Sequence, residues 1–457
     1  MKLSTIVISL GAITLSSCGG AAVAPLAGGT GSEAGSLAHY QGPLTIEKVL
    51  YSFKGAPDAA YPYGGLLAAK NGEFYGISNG GGTVGPSGLV DGTVYEISAT
   101  GNESVVYDFK GGKDGAGSEA GLIESQAGDF FGVTDYGGGA AACKYGCGTV
   151  FELRPTASGY SERVLHAFQG GKDGSDPLVD LLLGKNGVLY GTTTSGGTGA
   201  CSSPSGDTGC GTVFSLTPSG KRYTEKVLYS FQSGTDGEAP RAKLIADSQG
   251  NLYGTTEFGG NTNAACGKSP EGNTACGTVF EIAASGGEKI LYRFKGGDKD
   301  GANPRAALVS VSKTSLVGLT LYGGGSPLGL GTAYELTFNG HRYTERVLYF
   351  FGEHSMDGAR PDDHDGLTAD SSGNLYGATI DSTASPCGCG AVFKLTPTKT
   401  GYSESVLHIF NETPDGAQPR GAPTLYNGEL YGATFIGGDL CYKTSTYGCG
   451  TIYKVKP

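Results

Sequence analysis

Residues 243–260 read KLIADSQGNLYGTTEFGG, and residues 276–294 read CGTVFEIAASGGEKILYRF. Four short runs rich in aliphatic, β-branched and aromatic residues stand out: KLIAD, NLYGTT, GTVFEI and KILYRF. Runs of this kind, bounded by Gly, Ser and Asn, indicate β-strands. The stretch therefore predicts four consecutive strands, A, B, C and D, in which only the B–C connection is long.

This pattern recurs along the chain. Segments that resemble GTVF begin at Gly92, Gly148, Gly211, Gly277, Gly331, Gly390 and Gly450. Segments that resemble VLYSF and LYG also occur seven times, and no helical pattern interrupts them. Four strands per repeat are typical of a β-propeller blade. We therefore predict an all-β fold, a seven-bladed β-propeller of four-stranded antiparallel blades, with a β-solenoid as the alternative.

The ends of the array predict how the propeller closes. The first strand-like run, at 47–53, has no A, B or C strand before it, whereas the last repeat, at 424–455, stops after strand C. The N-terminal run would complete the last blade as its strand D, and no strand edge would then be left unpaired. The sequence therefore predicts a propeller over 45–457 with a closing blade of three C-terminal strands and one N-terminal strand.

The amino-acid composition of the chain limits the classes of partner that it can bind. Gly accounts for 83 of 457 residues, and Trp is absent beside 26 Tyr and 18 Phe, as in a turn-rich β protein with an aromatic core. The chain has 32 basic and 43 acidic residues and no run of Lys or Arg. Because phosphate contacts need a basic surface, we expect no nucleic-acid partner.

The N-terminus predicts export. The segment MKLSTIVISLGAITLSSCGG has one Lys and then an apolar run of signal-peptide length. Its end, Leu15-Ser16-Ser17-Cys18, resembles the bacterial lipobox, in which the Cys is lipidated. We expect a signal peptide over 1–17 and a lipidated Cys18 followed by a flexible Gly/Ala/Ser tether over 18–44. An ordinary secretory signal is the alternative.

Lipidation would place a membrane among the partners, since several acyl chains on one Cys anchor a protein stably. Gly19 rather than Asp follows Cys18, so we expect the outer membrane or cell surface of a bacterial envelope rather than the inner membrane. The remaining chain has no run of 18 apolar residues, and we expect it to be extracytoplasmic and monomeric.

The consensus of the seven copies, L-Y-G-T-T…G-G…C-G-T-V-F-x-L…x-V-L-Y-x-F…D-G-A-x-P, resembles the GloVer tandem repeat of bacterial choice-of-anchor proteins. The resemblance covers about residues 45–457. It implies a propeller-like, exported protein with an anchoring signal, here of the lipoprotein type. It brings no established reaction or ligand, so no catalytic residue is assigned from it.

Antiparallel strands place successive connections on opposite faces. The short A–B and C–D turns share one face, which we call the turn face. The long B–C and D–A loops share the other, the loop face. Because binding residues concentrate on loops held by a rigid scaffold, we expect any ligand on the loop face.

Ten cysteines follow Cys18, in pairs that each lie within one B–C loop. The pairs are Cys143/Cys147, Cys201/Cys210, Cys266/Cys276, Cys387/Cys389 and Cys441/Cys449. Paired occurrence in an exported protein predicts five local disulfides. The alternative is a metal such as zinc, which needs about four ligands. The single residue between Cys387 and Cys389 makes that bond the doubtful one.

Charged residues recur in the D–A loops. An Asp precedes Gly at Asp114, Asp173, Asp236, Asp300, Asp357 and Asp415, whereas the first copy has Asp58 before Ala. Asp-Gly is a common turn; the alternative is a ring of carboxylates that binds a divalent cation such as Ca²⁺ or a polyhydroxy ligand. Arg241, Arg305 and Arg420 follow a Pro, and Arg360 precedes one. We expect them near the central channel, paired with acidic residues or recognising an anion.

The segment HSMDGARPDDHDGLTAD, at 354–370, departs from the repeat. His354, Asp357, His364 and Asp365 offer ligands for a metal, although an exposed acidic loop is the alternative. His166 and His408 occupy the Tyr position of VLYSF, so we interpret them as strand residues. No motif of a hydrolase, metalloprotease, or phosphate- or dinucleotide-binding protein is present.

Together these features predict a surface-anchored, non-catalytic propeller that binds a glycan or an envelope protein on its loop face and needs no cofactor. Two alternatives stay open. One is an extracytoplasmic hydrolase or lyase with a metal or carboxylates in the central funnel, and the other is a structural envelope protein.

Overall fold

The computed structural model describes a set of ranges that begins after the predicted signal and tether. These are residues 48–84, 90–202, 208–261, 266, 275–325, 329–354, 357–362, 364–383, 387–399, 401–439 and 448–457. Cys18 and Cys441 therefore lie outside the described residues. The described part forms 34 β-strands and two short 3-10 helices, Gly171–Asp173 and Lys185–Gly187. No helix in these ranges has the length and apolar character that crossing a membrane requires.

The strands form seven antiparallel four-stranded sheets, which confirms the seven-bladed β-propeller. In A-to-D order, blades one to four consist of Leu67–Ala68, Phe74–Gly81, Thr93–Ile97 and Glu103–Asp108; Ile123–Glu124, Phe130–Thr134, Thr149–Thr156 and Gly159–Ala167; Leu182–Leu183, Leu189–Thr193, Thr212–Ser219 and Arg222–Ser230; Ile245–Ala246, Leu252–Thr256, Thr278–Ile282 and Glu288–Arg293. Blades five to seven consist of Val309–Ser312, Ser315–Thr320, Thr332–Phe338 and Tyr343–Phe350; Thr368–Ala369, Leu375–Thr379, Ala391–Pro397 and Tyr402–Ile409; Thr424–Tyr426, Glu429–Ile436, Thr451–Val455 and Lys48–Ser52. Short strands Ala59–Pro62, Gly301–Ala302, Tyr322–Gly323, Gly358–Ala359, Asp381–Ser382 and Ala417–Pro419 lie in the loops.

The last blade closes as the sequence predicts. Strand Lys48–Ser52 pairs antiparallel with Thr451–Val455, and Val49 lies opposite Tyr453. The N-terminal strand is thus strand D of blade seven, and the 3+1 closure is confirmed.

The Gly of LYG faces the aromatic residue of GTVF in every blade. The opposed pairs are Gly76/Tyr95, Gly132/Phe151, Gly191/Phe214, Gly254/Phe280, Gly318/Tyr334, Gly377/Phe393 and Gly432/Tyr453. A Cβ at any of these glycines would overlap an atom of the facing aromatic side chain. Glycine is therefore required because the aromatic side chain lies across its backbone.

The last Phe of VLYSF connects neighbouring blades. Each packs edge-to-face on the strand-C aromatic residue of the next blade, with centroid separations of 4.9 to 5.2 Å. The pairs are Phe53–Tyr95, Phe109–Phe151, Phe168–Phe214, Phe231–Phe280, Phe294–Tyr334, Phe351–Phe393 and Phe410–Tyr453. Because Phe53 follows the N-terminal strand and Tyr95 belongs to blade one, this series of contacts is continuous around the propeller.

Candidate functional site

Disulfides close the B–C loops on the loop face. Four bonds join Cys143 to Cys147, Cys201 to Cys210, Cys266 to Cys276 and Cys387 to Cys389. These four predicted pairings are confirmed, including the doubtful one. Cys449 is disulfide-bonded as well, although its predicted partner, Cys441, lies outside the described residues.

The second Cys of each pair also positions the next blade. Its carbonyl accepts a hydrogen bond of 2.8 to 3.2 Å from the residue that precedes the next blade's Pro. The donor N–H groups belong to Tyr61, Asp176, Ala239, Asn303 and Gln418, and the acceptors are Cys449, Cys147, Cys210, Cys276 and Cys389. Blades one and five have no cysteine and form the same bond, from Gly117 to Asp91 and from Arg360 to Leu330, so the bond belongs to the repeat and the disulfide closes the loop that provides the acceptor.

The D–A carboxylates lie beside the outermost strands. Each accepts a hydrogen bond of 2.8 to 3.1 Å from the Tyr hydroxyl or His Nε2 of the preceding strand D. The pairs are Tyr51–Asp58, Tyr107–Asp114, His166–Asp173, Tyr229–Asp236, Tyr292–Asp300, Tyr349–Asp357 and His408–Asp415. The structure therefore disperses these carboxylates, one per blade, instead of bringing them together on the axis. Asp58 has the same role despite its different sequence context.

A different set of side chains meets at the axis. The position that follows Pro, or its equivalent, is occupied in blades one to seven by Tyr63, Glu119, Leu178, Arg241, Arg305, Asp362 and Arg420. Contacts between blades join these residues. Arg305 lies 3.1 Å from Asp362 Oδ1, and Arg420 Nη1 donates a 2.5 Å hydrogen bond to the hydroxyl of Tyr63. We call this set, together with Glu257 and Asp135, the axial site.

Buried carboxylates link the three arginines. Glu257 accepts from Arg305 Nη2 at 2.6 Å and lies 3.1 Å from Arg241 Nε, and both Glu257 and Asp362 have side chains only 4% exposed. Burial alone would raise the pKa of Asp362, but Arg305 and Arg420 hold that pKa well below its usual range. The arginines expected near the channel are thus ion-paired there. Arg360 pairs instead with Asp381.

Arg241 is the least satisfied of the three arginines. Its side chain is 30% exposed, and its only ionic contact is the one from Nε to Glu257. Neither terminal nitrogen has a hydrogen-bond partner among the residues that the structure describes, whereas both terminal nitrogens of Arg305 are bonded. Arg241 therefore presents free donors in the plane of its guanidinium, the geometry that binds a carboxylate or sulfate by two hydrogen bonds.

An acidic pair shares the axial site. The N–H of Glu119 donates to Asp135 Oδ1 at 3.2 Å, and Asp135 is 1% exposed. Burial, and then the charge of Glu119, raises the pKa of Asp135 well above its usual range. Burial also raises the pKa of Glu119, against the opposing effect of Arg241. Carboxyl groups whose pKa values are raised in this way are candidates for acid–base chemistry.

Two residues of blade six cross the axis. Pro361 and Leu367 enclose five residues where the equivalent Pro304 and Leu308 enclose three. Within this insertion His364 accepts at its carbonyl from the N–H of Ala307 at 3.2 Å. Its imidazole is 3% exposed, and neither nitrogen has a partner in the described ranges. Burial lowers the pKa of His364 to about 3, so the imidazole is neutral.

Asp365 completes this crossing. Its Oδ2 accepts a 2.6 Å hydrogen bond from the N–H of Gly65 in blade one. It lines a cavity of about 330 Å³ along the A strands, together with Asp180 and Lys243, whose Nζ lies 3.0 Å from Asp180 Oδ2. Burial, and then Asp180, raises the pKa of Asp365 to about 7. Blade six thus closes the axis by contacts with several other blades.

The four residues considered as metal ligands lie in different places. His354 is exposed, Asp357 bonds Tyr349 in its own blade, and His364 and Asp365 lie on the axis. No group of three or more His, Cys, Asp or Glu suited to a metal occurs among the described residues. The sequence analysis does not single out Tyr63, Glu119, Asp135 or Glu257, although comparing the seven copies at the position after Pro would have revealed the first two.

Two solved structures with TM-scores above 0.5 share the fold, and a third is similar at a lower TM-score. A fungal alcohol oxidase in complex with copper is 12% identical with a TM-score of 0.52, covering 91% of this chain and 77% of its own. An ulvan lyase, a polysaccharide lyase, is 11% identical with a TM-score of 0.51, and the match covers 90% of this chain and 96% of the lyase. An aldose sugar dehydrogenase from Streptomyces coelicolor is 12% identical with a TM-score of 0.41, covering 91% and 99%. At these identities the likeness concerns the fold alone.

No curated protein sequence matches the chain. The model of the Gloeobacter/Verrucomicrobia repeat matches it in four overlapping segments, 16–203, 141–269, 199–326 and 267–457. These matches confirm the resemblance that the consensus LYG and GTVF segments carry. The chain belongs to the Gloeobacter/Verrucomicrobia repeat family.

Proposed function

We propose that this protein is a surface-anchored, non-catalytic propeller that binds a glycan or an envelope protein at the axial site of its loop face. The observation that carries the proposal is the free guanidinium face of Arg241, held by Glu257 and open to solvent over 30% of its side chain. An arginine whose Nε lies 3.1 Å from a buried carboxylate, and whose terminal nitrogens have no partner in the described ranges, can offer two donors to a ligand.

The scaffold supports this role because it holds the loops in one arrangement. Four B–C disulfides fix loops whose Cys carbonyls bond the next blade, and each D–A carboxylate ties its own loop to strand D. A site that is rigid before binding loses less conformational entropy when it binds. Its position on loops that converge at one end of the propeller is typical of binding surfaces.

The N-terminus and the cysteines support a proposed location. We propose lipidation at Cys18 and attachment to a bacterial envelope, with the tether allowing the loop face to reach its ligand. The disulfides are consistent with an oxidising compartment outside the cytoplasm.

The test compares two arginine substitutions in the full chain. Arg241→Gln removes the charge at the axial site, and Arg222→Gln removes the same charge from an exposed residue at the C–D turn of blade three, on the turn face. A panel of glycans and envelope proteins is screened by calorimetry. A ligand that loses affinity with Arg241→Gln alone supports the proposal. Equal binding by both variants and the unchanged protein contradicts it.

The acidic pair favours one second candidate, a hydrolase or lyase acting in the same funnel. Glu119 and Asp135 have raised pKa values beside an arginine, as acid–base groups often do. Incubating the chain with each bound glycan and measuring new reducing ends and unsaturated sugar termini distinguishes the two functions. Products that disappear with Glu119→Gln would establish the enzyme, and their absence supports binding alone.

A further inference from the structure

We infer that the ligand is an acidic polysaccharide and that two exposed tyrosines of blade two stack on its sugars while Arg241 binds its carboxylate or sulfate groups. This inference rests on the proposed binding function, because it names the ligand class of the same face. Tyr136 is 42% exposed and Tyr145 is 48% exposed, which makes them the most exposed aromatic side chains among the described residues.

The two tyrosines form one corner-shaped surface. Their centroids lie 6.0 Å apart and their planes meet at 77°. Lys144 Nζ lies over the ring of Tyr145, and the exposed part of the two rings offers a contact surface with few rotatable bonds. The C–H-rich faces of sugar rings are suited to such contacts. We call these two residues the tyrosine pair.

The backbone holds the tyrosine pair in place. Tyr136 exchanges two hydrogen bonds with Ala116, of 3.0 and 3.1 Å, and the carbonyl of Tyr145 accepts from the N–H of Gly137 at 2.9 Å. The Cys143–Cys147 disulfide closes the loop that carries Tyr145. The exposed faces are thus fixed by main-chain contacts and one covalent bond, which argues for a built surface rather than two unrelated exposed side chains.

The tyrosine pair adjoins the axial site. Tyr136 directly follows Asp135, whose carboxyl group accepts from the N–H of Glu119. Burial, and then the charges of Asp135 and Glu119, raises the pKa of Tyr136, and Arg241 opposes that rise. Tyr136 is therefore adjacent along the chain to the acidic pair, and the charge of Arg241 acts on its phenol.

Lys144 and Arg241 favour an acidic ligand. The Nζ of Lys144 lies 4.8 Å from the centroid of Tyr145, and the terminal nitrogens of Arg241 have no partner in the described ranges. A chain of acidic sugars can place anionic groups against these two cations while a sugar face rests on the tyrosines. A neutral glycan would leave the guanidinium without a partner.

Equivalent positions in other blades do not repeat this surface. In blades one and three to seven the residue that aligns with Tyr136 is Gly80, Ser195, Phe258, Tyr322, Asp381 and Ile436. None of these is an exposed aromatic residue, since Phe258 is 7% exposed and Tyr322 is only partly exposed. Among the described residues, an exposed aromatic side chain at the Tyr136 position therefore occurs in blade two alone, whereas Tyr447, which matches Tyr145 in sequence, lies outside the described residues.

The experiment measures binding of the full chain to polygalacturonate, sulfated dextran and neutral dextran by affinity electrophoresis and calorimetry. We expect binding to one or both acidic polymers, weakened by salt, and no binding to neutral dextran. Replacing both tyrosines by Ala, or Arg241 by Gln, should each weaken binding at least about tenfold, as for a contact at the centre of an interface. Replacing both tyrosines by Phe should leave affinity within about twofold, because Phe keeps the stacking face.

Two sets of outcomes would overturn the inference. If neither acidic polymer binds, or if both bind the unchanged chain and the alanine variant equally, the ligand class or the role of the tyrosine pair is wrong. If a neutral glycan or a protein binds and Arg241→Gln abolishes that binding, the proposed function stands while this ligand class fails. The carboxylated and sulfated polymers separately identify which anionic group the site prefers.

Discussion

Asp365 in blade six accepts a 2.6 Å hydrogen bond from the backbone N–H of Gly65 in blade one, across the axis of the propeller. Burial raises the pKa of this carboxyl group, and the charge of Asp180 raises it further. Two acidic groups and Lys243 thus meet where the crossing residues of blade six close the axis. The contact joins residues 300 positions apart and makes closure of the axis sensitive to protonation.

The first prediction concerns pH. A carboxyl group with a folded pKa of about 7, above its unfolded value, binds its proton more tightly in the folded state. The contribution of Asp365 to the free energy of unfolding is therefore present at low pH and is lost as pH rises from about 4 to about 7. Asp365→Asn keeps an acceptor for Gly65 but cannot ionise. We expect this variant to exceed the unchanged protein in unfolding free energy by about 1–4 kcal/mol near pH 8, and to match it near pH 4.

Asp370→Asn serves as the control for this measurement. Burial alone would raise the pKa of Asp370, but hydrogen bonds from Asn374 and Tyr376 lower it. The contribution of Asp370 to the free energy of unfolding is therefore lost in acid and present at neutral pH. The control should be less stable than the unchanged protein at neutral pH. Denaturant unfolding of both variants across this range tests the signs, and a pH-independent difference for Asp365→Asn would refute the explanation by a raised pKa of Asp365.

The second prediction concerns the Gly–aromatic pairs. A methyl group on Gly254 would overlap the aromatic side chain of Phe280, which is fully buried between blades. We expect Gly254→Ala to destabilise the protein by about 1–3 kcal/mol through overpacking. Adding Phe280→Leu should cost less than the sum of the two single changes, because Leu gives the methyl group room. Strict additivity in thermal or denaturant unfolding would show that the clash is not the cause.

The third prediction concerns closure of the propeller. Phe53 packs on Tyr95 at 5.0 Å, as Phe231 packs on Phe280 at 5.1 Å within the array. Both phenylalanines are fully buried, so replacing either by Ala should cost about 3–5 kcal/mol. A loss from Phe53→Ala far below that from Phe231→Ala would mean that the N-terminal strand contributes little to the folded state. Comparable losses, with one unfolding transition for each variant, would establish closure as an integral part of the fold.

The propeller could be predicted from the sequence because its strand segments recur at a regular spacing. LYG and GTVF recur because every blade needs a glycine under an aromatic side chain, as at Gly254 and Phe280. The closing strand was accessible as well, because the run at 47–53 has no partners in its own neighbourhood of the sequence. These features depend on strand pairing, which repeats identically in each blade.

The axial site was less accessible because it depends on side chains from different blades. Arg241 and Arg305 share Glu257, whereas Arg305 and Arg420 approach Asp362, and no local pattern specifies these partners. Asp58 illustrates the opposite difficulty. Asp58 is not followed by Gly, yet it accepts a hydrogen bond from Tyr51 as the other D–A carboxylates do from their own strand D. The hydrogen bond needs only a carboxylate at that position.

The fourth prediction tests the carboxylates of the D–A loops as structural groups. Asp300 accepts hydrogen bonds from the hydroxyl of Tyr292 and from the N–H groups of Lys295 and Gly301, at 2.8 to 2.9 Å. Asp300→Ala would leave these donors unsatisfied and should cost about 2–3 kcal/mol, whereas Tyr292→Phe removes one bond and should cost about 1 kcal/mol. Ligand affinity should be unchanged in both variants, since these residues lie beside the outermost strand. Adding Ca²⁺ during thermal unfolding checks the alternative: a calcium-dependent rise in Tm that Asp300→Ala removes would identify the carboxylate as a cation ligand, because only a bound ion couples its concentration to stability.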